Sequence, residues 1–248
     1  MNPTLLDRRQ LREALHGRPV PTAVPAPLPR QPAPAVGGRT ITVVGAHPWA
    51  GVTTVALAVA DVASTHGRVI LRDEHARDRS GLLAVSHRDL GVRPDGALVG
   101  QRGAVEFHTA PVSSPHQGDS GMTVRDAGAV TGPLTGEAGP LVLVCRATIP
   151  GFRAVEVALN RLAIQSEDVV LAAVGCRRLP GVVRGSAGPA VNALHAARRV
   201  VCVDHDRRLA VEGLDERPLP ASVLASGRRI LRVLLPDLEP TLPKRSIR

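Results

Sequence analysis

The stretch GAHPWAGVTT at residues 45–54 decides the fold of this chain. An apolar, β-branched run precedes it at 41–44, and an alanine- and valine-rich run follows from Val52. This order of strand, glycine-containing turn and helix is typical of a phosphate-binding loop. Its backbone N–H groups and the positive end of the helix dipole attract an anion. The standard pattern is G-x-x-x-x-G-K-[ST]. Here Ala46 stands at its first glycine and Val52 at its lysine, so the sequence predicts a nucleotide site without its main positive charge.

The same residues resemble the loop of the ParA/MinD group of deviant P-loop ATPases, which reads roughly x-x-K-G-G-x-G-K-T-T. Aligned without a gap, the group's signature lysine falls on His47 and its second lysine on Val52. Pro48 and Trp49 replace the two glycines that follow the signature lysine. The resemblance implies a set of candidate cofactor-binding residues in this loop, namely Ala46, His47, Trp49, Gly51, Val52, Thr53 and Thr54.

Two acidic residues, Asp73 and Asp126, each end a predicted strand. In the ParA/MinD group the second strand ends in D-x-D, whose carboxylates serve magnesium and the attacking water, and a Walker B acid holds the magnesium shell. The resemblance therefore implies Asp73 and Asp126 as catalytic candidates, and Thr53 with Asp126 as ligands of Mg²⁺. His75 stands at the second acid of the D-x-D pattern.

An arginine precedes each of these acids, Arg72 before Asp73 and Arg125 before Asp126. The two pairs are either structural ion pairs or evidence of a reworked site. Side chains alternate between the two faces of a sheet along a strand, and we therefore favour the structural interpretation.

Strands and helices are predicted to alternate along the rest of the domain. The run at 141–145 is the most apolar and is typical of a central parallel strand. The predicted fold class is α/β, a doubly wound, mostly parallel sheet with helices on both faces, P-loop NTPase-like and of the ParA/MinD type. Ligands of such sheets bind beyond the carboxyl ends of the strands. The other predicted elements are a short helix and polar loop at 76–100, short strands at 104–108, 168–175 and 200–203, a loop at 111–121, and helices after 151, at 190–197 and at 221–235.

Three regions are predicted along the chain. Residues 1–38 comprise a short amphipathic helix at 4–16 and a proline-rich, flexible linker, and this helix is either a docking peptide or a frayed tail. Residues 39–236 form the degenerate P-loop NTPase-like domain. Residues 237–248 form a basic C-terminal tail.

Composition limits the classes of function. The net charge of +9 favours attraction to nucleic acid or to an anionic surface, although arginine-rich drift in a GC-rich genome gives the same charge. The sequence has no signal-peptide pattern and no apolar stretch long enough to span a bilayer, which predicts a cytoplasmic protein. Cys145, Cys176 and Cys202 lack C-x-x-C spacing, which favours buried, reduced thiols over a metal site.

Nucleotide hydrolysis needs charges that this loop lacks. Removing one preorganised electrostatic donor typically costs about 2.7–4 kcal/mol of barrier, or roughly 100- to 1000-fold in rate. With both lysines and the second acid replaced, we do not expect an efficient ATPase. The leading hypothesis is a degenerate ParA/MinD-like protein, a regulatory or scaffolding module that binds ATP and Mg²⁺ weakly or has no cofactor. The resemblance implies roles in bacterial plasmid or mobile-element maintenance, in conjugation or in positioning a surface machine.

Two alternatives remain open. The first is a slow ATPase whose atypical loop is completed by a partner, as an arginine finger completes other sites. The second is a module that binds duplex DNA through a basic surface containing Arg228, Arg229, Arg232 and the tail at 244–248. The corresponding partners are another protein, a second copy of the chain in a homodimer, or non-specific duplex DNA.

Overall fold

The computed structural model describes residues 39–74, 81–93, 96–109, 121–130, 139–162 and 168–238. Within these residues, nine strands form one sheet. The strands are β1 (Thr40–Gly45), β2 (Val69–Asp73), β3 (Arg88–Val92), β4 (Leu98–Arg102), β5 (Val105–Thr109), β6 (Met122–Ala129), β7 (Leu141–Arg146), β8 (Val169–Val174) and β9 (Val200–Val203). The helices are α1 (Val52–Ala63), α2 (Ile149–Leu162), α3 (Gly181–Gly185), α4 (Pro189–Ala196), α5 (Arg207–Glu212) and α6 (Ala221–Leu234), with 3₁₀ turns at Leu82–Val85 and Pro236–Leu238.

The strand order is β3-β4-β5-β2-β6-β1-β7-β8-β9. The described pairings are parallel except β3 with β4 and β4 with β5, so β4 alone runs against the other strands. This mostly parallel sheet confirms the predicted fold class. It also brings the carboxyl ends of β5, β2, β6, β1, β7 and β8 to one edge of the sheet, which is where the loop at residues 45–51 lies.

Two hydrophobic cores cover the two faces of the sheet. Val43 and the apolar side chains of α1 and α6 belong to one core. The next residue, Val44, packs with α2 and α4 in the other. This alternation along β1 is the reason that a continuous apolar run forms a strand covered by helices on both sides. Valine, leucine and alanine fill most of both cores, and the two phenylalanines, Phe107 and Phe152, are buried in them.

The structure corrects part of the prediction for residues 76–100. In place of a helix and polar loop, the described part of this segment contains a short 3₁₀ turn followed by β3 and the start of β4. Gly91 and Gly96 adopt left-handed backbone conformations with φ of 92° and 83°, which interrupt any helix there. The short helices α3 and α5 were not predicted either. Residues 1–38, His75, most of the 111–121 loop and the tail beyond residue 238 lie outside the described residues, so the expectations for them stay predictions.

No helix in the part of the chain that the structure describes is long and apolar enough to cross a membrane.

Candidate functional site

The loop at residues 45–51 joins β1 to α1 at the carboxyl edge of the sheet. The Ala46 N–H donates to the carbonyl oxygen of Val144 on β7, with an N···O distance of 2.8 Å. Gly51 ends the loop in a left-handed conformation with φ of 98°, and its carbonyl accepts the first helical hydrogen bond from Val55. A Cβ on Gly45 would lie 3.0 Å from the His47 carbonyl oxygen, so the loop folds back closely on its own start. The predicted strand, turn and helix are therefore present.

Val52, at the position of the missing lysine, is a core residue. Its side chain is only 8% exposed and packs in the same core as Val43 and Ala50. Its Cγ2 atom lies 2.8 Å from where a Cβ on Gly45 would stand, so it fills the space beside the start of the loop. The position to which the loop alignment assigns a lysine is therefore filled by a buried apolar side chain. Thr53 and Thr54 follow in the first turn of α1, and both are half-buried.

His47, which the loop alignment places at the signature-lysine position, makes contacts within the loop and with β7. Its Nδ1 lies 2.7 Å from the carbonyl oxygen of Pro48, and its Nε2 accepts a hydrogen bond of 3.3 Å from the Arg146 N–H. One neutral tautomer, with the proton on Nδ1, satisfies both contacts. The sequence did not reveal this role, because Arg146 lies 99 residues away in the chain.

Trp49 is the exposed tip of the loop. Its side chain is 94% exposed, and its backbone adopts a left-handed conformation with φ of 62°. This conformation is unfavourable for a bulky residue that carries a Cβ. The loop therefore holds its one large apolar side chain in water on a strained backbone.

Replacing Trp49 with glycine should stabilise the fold. Glycine adopts a positive φ without steric cost, and a left-handed non-glycine residue costs about 1–2 kcal/mol. We expect the free energy of unfolding of Trp49→Gly to exceed that of Trp49→Ala by about 1 kcal/mol. Urea unfolding followed by circular dichroism measures this difference. Trp49→Ala is the matched control, because it removes the indole and keeps the strained backbone. Equal stability of the two variants would show that the backbone here is not strained.

The two candidate acids lie side by side at the same edge of the sheet. Asp73 on β2 is the register partner of Asp126 on β6, and Asp126 is in turn opposite Val43 on β1, two residues before the loop. Both carboxylates are buried, and Asp126 Oδ1 accepts a hydrogen bond of 3.1 Å from the Gly128 N–H. Alternation along the strands places these acids on the face that α1 covers. The structure therefore brings together the two acids that the sequence singled out.

Thr109 is a further member of this row that the sequence analysis missed. It is buried at the end of β5, opposite Asp73. Its hydroxyl has no hydrogen-bond partner among the residues that the structure describes. The sequence did contain a signal for it. Thr109 directly follows the predicted strand at 104–108, so it stands where that strand reaches the carboxyl edge of the sheet.

Solved structures share this architecture. MinD cell division protein from Aquifex aeolicus matches with 15% identity and a TM-score of 0.51, over 78% of this chain and 97% of that chain. The MinC:MinD cell division protein complex from the same organism matches with 14% identity and a TM-score of 0.52, over 78% of this chain and 96% of that chain. The chain has a MinD-type fold. A ParA family ATPase from Chlorobium tepidum matches with 13% identity and a TM-score of 0.48, over 79% of this chain and 92% of that chain. No protein-family model and no curated protein matches the sequence.

On this MinD-type fold, the arginines next to the two acids lie on the opposite face of the sheet. Arg72 and Arg125 are register partners on β2 and β6. The Arg125 guanidinium bonds the carboxylate of Glu74, with an Nε···Oε1 distance of 2.7 Å. Because side chains alternate between the faces of a sheet, Arg125 and Asp126 point to opposite faces. Glu74 is an ion-pair partner of Arg125 that the sequence analysis did not identify.

The same face carries a second polar cluster on β5. The Glu106 carboxylate accepts a hydrogen bond of 2.7 Å from His108 Nε2 and pairs with Arg68 at 2.8 Å. The His108 hydrogen bond, followed by the Arg68 contact, lowers the pKa of Glu106 from 4.5 to about 2. Glu106 is therefore ionised at neutral pH, and its contribution to stability is lost only as the pH falls from 4.5 towards 2.

The three cysteines lie near one another at the ends of β7, β8 and β9, and all are free thiols. Cys145 is buried as predicted, whereas Cys176 and Cys202 are half-buried because they lie near the outer strand of the sheet. Burial raises the pKa of Cys145 and of Cys176 to about 12, so both stay protonated at neutral pH. Among the described residues, no three or more His, Cys, Asp or Glu side chains are arranged so that they could hold a metal ion.

Proposed function

We propose that this chain is a degenerate ParA/MinD-like protein that acts as a regulatory or scaffolding module, with weak or no nucleotide hydrolysis. The observation that carries the proposal is the burial of Val52 against the start of the loop. A triphosphate needs cationic and N–H donors at this position, and the loop offers an apolar side chain there. Pro48 removes one further N–H, and His47 donates to the loop itself. These residues fit ATP poorly.

The acids at the sheet edge do not restore catalysis by themselves. Thr53 and Asp126 are the residues that would hold Mg²⁺ if nucleotide were bound. A metal ion and a carboxylate still leave the transferring phosphoryl group without the lysine charges that stabilise it, and each such loss costs roughly 100- to 1000-fold in rate. A binding role needs none of these charges. The Aquifex aeolicus MinD in complex with MinC supports a protein partner for this chain as well.

The proposal is tested with purified protein and a fluorescent ATP analogue, titrated with and without Mg²⁺, together with a measurement of ATP turnover. We expect weak or no binding and turnover at least about 100-fold below that of ordinary P-loop ATPases. Turnover near the ordinary rate would overturn the proposal. Turnover that is low alone and rises sharply when a cellular partner is added would establish the slow, partner-completed ATPase instead.

Restoring the lysine should restore nucleotide affinity. A charge-assisted hydrogen bond contributes about 1.5–3 kcal/mol, so we expect Val52→Lys to bind the ATP analogue at least about tenfold more tightly than the wild type. Thermal unfolding with and without the analogue checks that the variant is folded and reports the gain as a ligand-dependent rise in Tm. Val182→Lys is the control, because it adds the same charge at an exposed residue of α3. If Val52→Lys folds but does not bind the analogue more tightly, the loop excludes nucleotide for a reason other than the missing charge.

A second candidate function is supported by α6. Its buried face packs on α1, and its outer face carries Arg228, Arg229 and Arg232, all exposed. Arginines on one helix face suit the phosphates of duplex DNA. If DNA is the ligand, duplex retention is strong near about 50 mM salt, is lost by about 200 mM, and is lost at both when the three arginines are replaced with alanine. If the variant retains duplex DNA as strongly as the wild type does, this helix face is not the DNA-binding surface.

A further inference from the structure

The tip of the loop carries an exposed tryptophan on a well-held backbone. Trp49 is the single tryptophan of the chain and is almost fully exposed, whereas both phenylalanines are buried. Its position is fixed from both sides, by the two hydrogen bonds of His47 and by the buried side chain of Ala50. A large side chain on a rigid backbone loses little conformational entropy on binding. Backbone strain of this kind is concentrated at functional sites, so the positive φ of Trp49 favours a role for its side chain.

Exposed arginines lie on the elements that follow β7 and β8, next to this loop. Arg146 at the end of β7 is exposed, and its backbone N–H is the donor to His47. The turn that follows packs against Arg146, since a Cβ on Gly151 would lie 2.2 Å from the Arg146 carbonyl oxygen. Arg153, two residues after Gly151 in α2, is exposed. Val174 of β8 lies beside the loop, since a Cβ on Gly51 would stand 3.5 Å from its Cγ1 atom, and the exposed Arg178 follows β8 at the same edge of the sheet.

Three acidic side chains on the β7, β8 and β9 side of the loop make hydrogen bonds within the fold. Glu156 accepts hydrogen bonds from the N–H groups of Ala190 and Val191 and so caps α4. Asp204 pairs with Arg177 at 2.8 Å. Asp206 caps α5 by accepting from the Leu209 N–H. Among the described residues, these three acids are engaged, whereas Arg146, Arg153 and Arg178 are exposed, and their charge is complementary to an acidic partner.

We infer that the Trp49 tip, with Arg146, Arg153 and Arg178, docks an acidic protein segment that receives the indole in an apolar site and places carboxylates against the arginines. This inference rests on the proposed function and names its partner class. Tryptophan and arginine are the side chains enriched at the centres of protein interfaces. Single-stranded nucleic acid is less well suited, because it needs successive aromatic platforms and the chain exposes one.

The experiment uses the full chain and a random displayed-peptide library, depleted first on the Trp49→Ala variant. We expect the selected peptides to carry aspartate or glutamate around an apolar residue. The dissociation constant of the best peptide, read from the fluorescence of Trp49, should rise at least about tenfold in Arg146→Glu/Arg178→Glu. Arg161→Glu/Arg198→Glu is the matched control, since it changes the net charge equally at exposed arginines elsewhere. In that control the dissociation constant should be unchanged.

Three results would overturn the inference. They are the absence of peptides that depend on Trp49, selected peptides without acidic residues, and equal weakening by the two double variants. A saturable change in Trp49 fluorescence with oligothymidylate, at higher affinity than any peptide, would assign the surface to nucleic acid instead. The selection contains no nucleotide, so its result is independent of the turnover measurement. Ordinary turnover with acidic peptides bound would overturn the proposed function and leave this inference standing.

Discussion

Replacing Arg102 with methionine is expected to lower the free energy of unfolding by about 3–5 kcal/mol. Arg102 lies at the end of β4 and is 6% exposed. Its Nε lies 3.5 Å from Oδ2 of Asp61 on α1. Its other nitrogens donate to the carbonyl oxygens of Asp215 at 3.1 Å and Arg217 at 2.9 Å. One side chain thus joins the sheet, α1 and the segment between α5 and α6. Its removal leaves a largely buried carboxylate without its ion-pair partner and two carbonyl oxygens without their donor.

The pH dependence of this destabilisation separates lost charge from lost packing. Burial raises the pKa of Asp61, and the positive charges of Arg102 and His87 oppose that rise. Without Arg102 the pKa of Asp61 rises further, so the folded variant takes up a proton more readily than the unfolded chain does. The loss of unfolding free energy caused by Arg102→Met should therefore be smaller at pH 5 than at pH 8. Urea unfolding at both pH values measures it. Arg161→Met, at an exposed arginine of α2, is the control and should change stability little. A penalty that does not vary with pH would mean that packing alone accounts for it.

Replacing Gly227 with alanine is expected to destabilise the contact between α1 and α6. A Cβ at this position would lie 2.6 Å from the carbonyl oxygen and 2.9 Å from the carbonyl carbon of Ala58. Both are backbone atoms, so one helix must move away from the other. Overpacking of this kind costs about 1–3 kcal/mol. The higher helix propensity of alanine returns up to about 1 kcal/mol, and steric overlap with the backbone is the larger effect.

Gly185→Ala is the matched control for this prediction. Gly185 also lies in a helix, and a Cβ there would have no neighbour within 4 Å. The same chemical change should therefore leave the Tm unchanged or raise it, whereas Gly227→Ala lowers it. A Tm of Gly227→Ala at or above that of the wild type would show that α6 shifts without cost.

The sequence predicts the elements whose signal is local. The apolar runs that became β1 and β7 are buried on both faces, and their continuous hydrophobicity is sufficient to identify them. β3 has no such signal, because Arg88–Val92 contains two charged residues and a glycine and is held by pairing with β4. Pairing between strands depends on contacts that periodicity does not report.

The candidate site also has some features that the sequence predicts and others that it does not. The placement of Asp73 and Asp126 at one edge follows from the rule that parallel strands align their carboxyl ends, and the structure adds the register that makes them neighbours. The sequence shows that Val52 stands at the lysine position, but the packing of Val52 beside Gly45 depends on the folded structure. The attachment of His47 to Arg146 joins residues that are distant in the chain. Such contacts belong to tertiary structure and have no local sequence signal.

The bulge in β3 affects how this protein behaves when it is concentrated. The pairing with β4 shifts register between Asp89 and Gly91, and the Gly91 N–H turns back to donate to Oδ1 of Asp89 at 2.8 Å. Among the described strands, β3 forms one border of the sheet. An irregular border with an internally satisfied N–H is a poor template for another chain's backbone. Aggregation by strand addition is therefore disfavoured at this border.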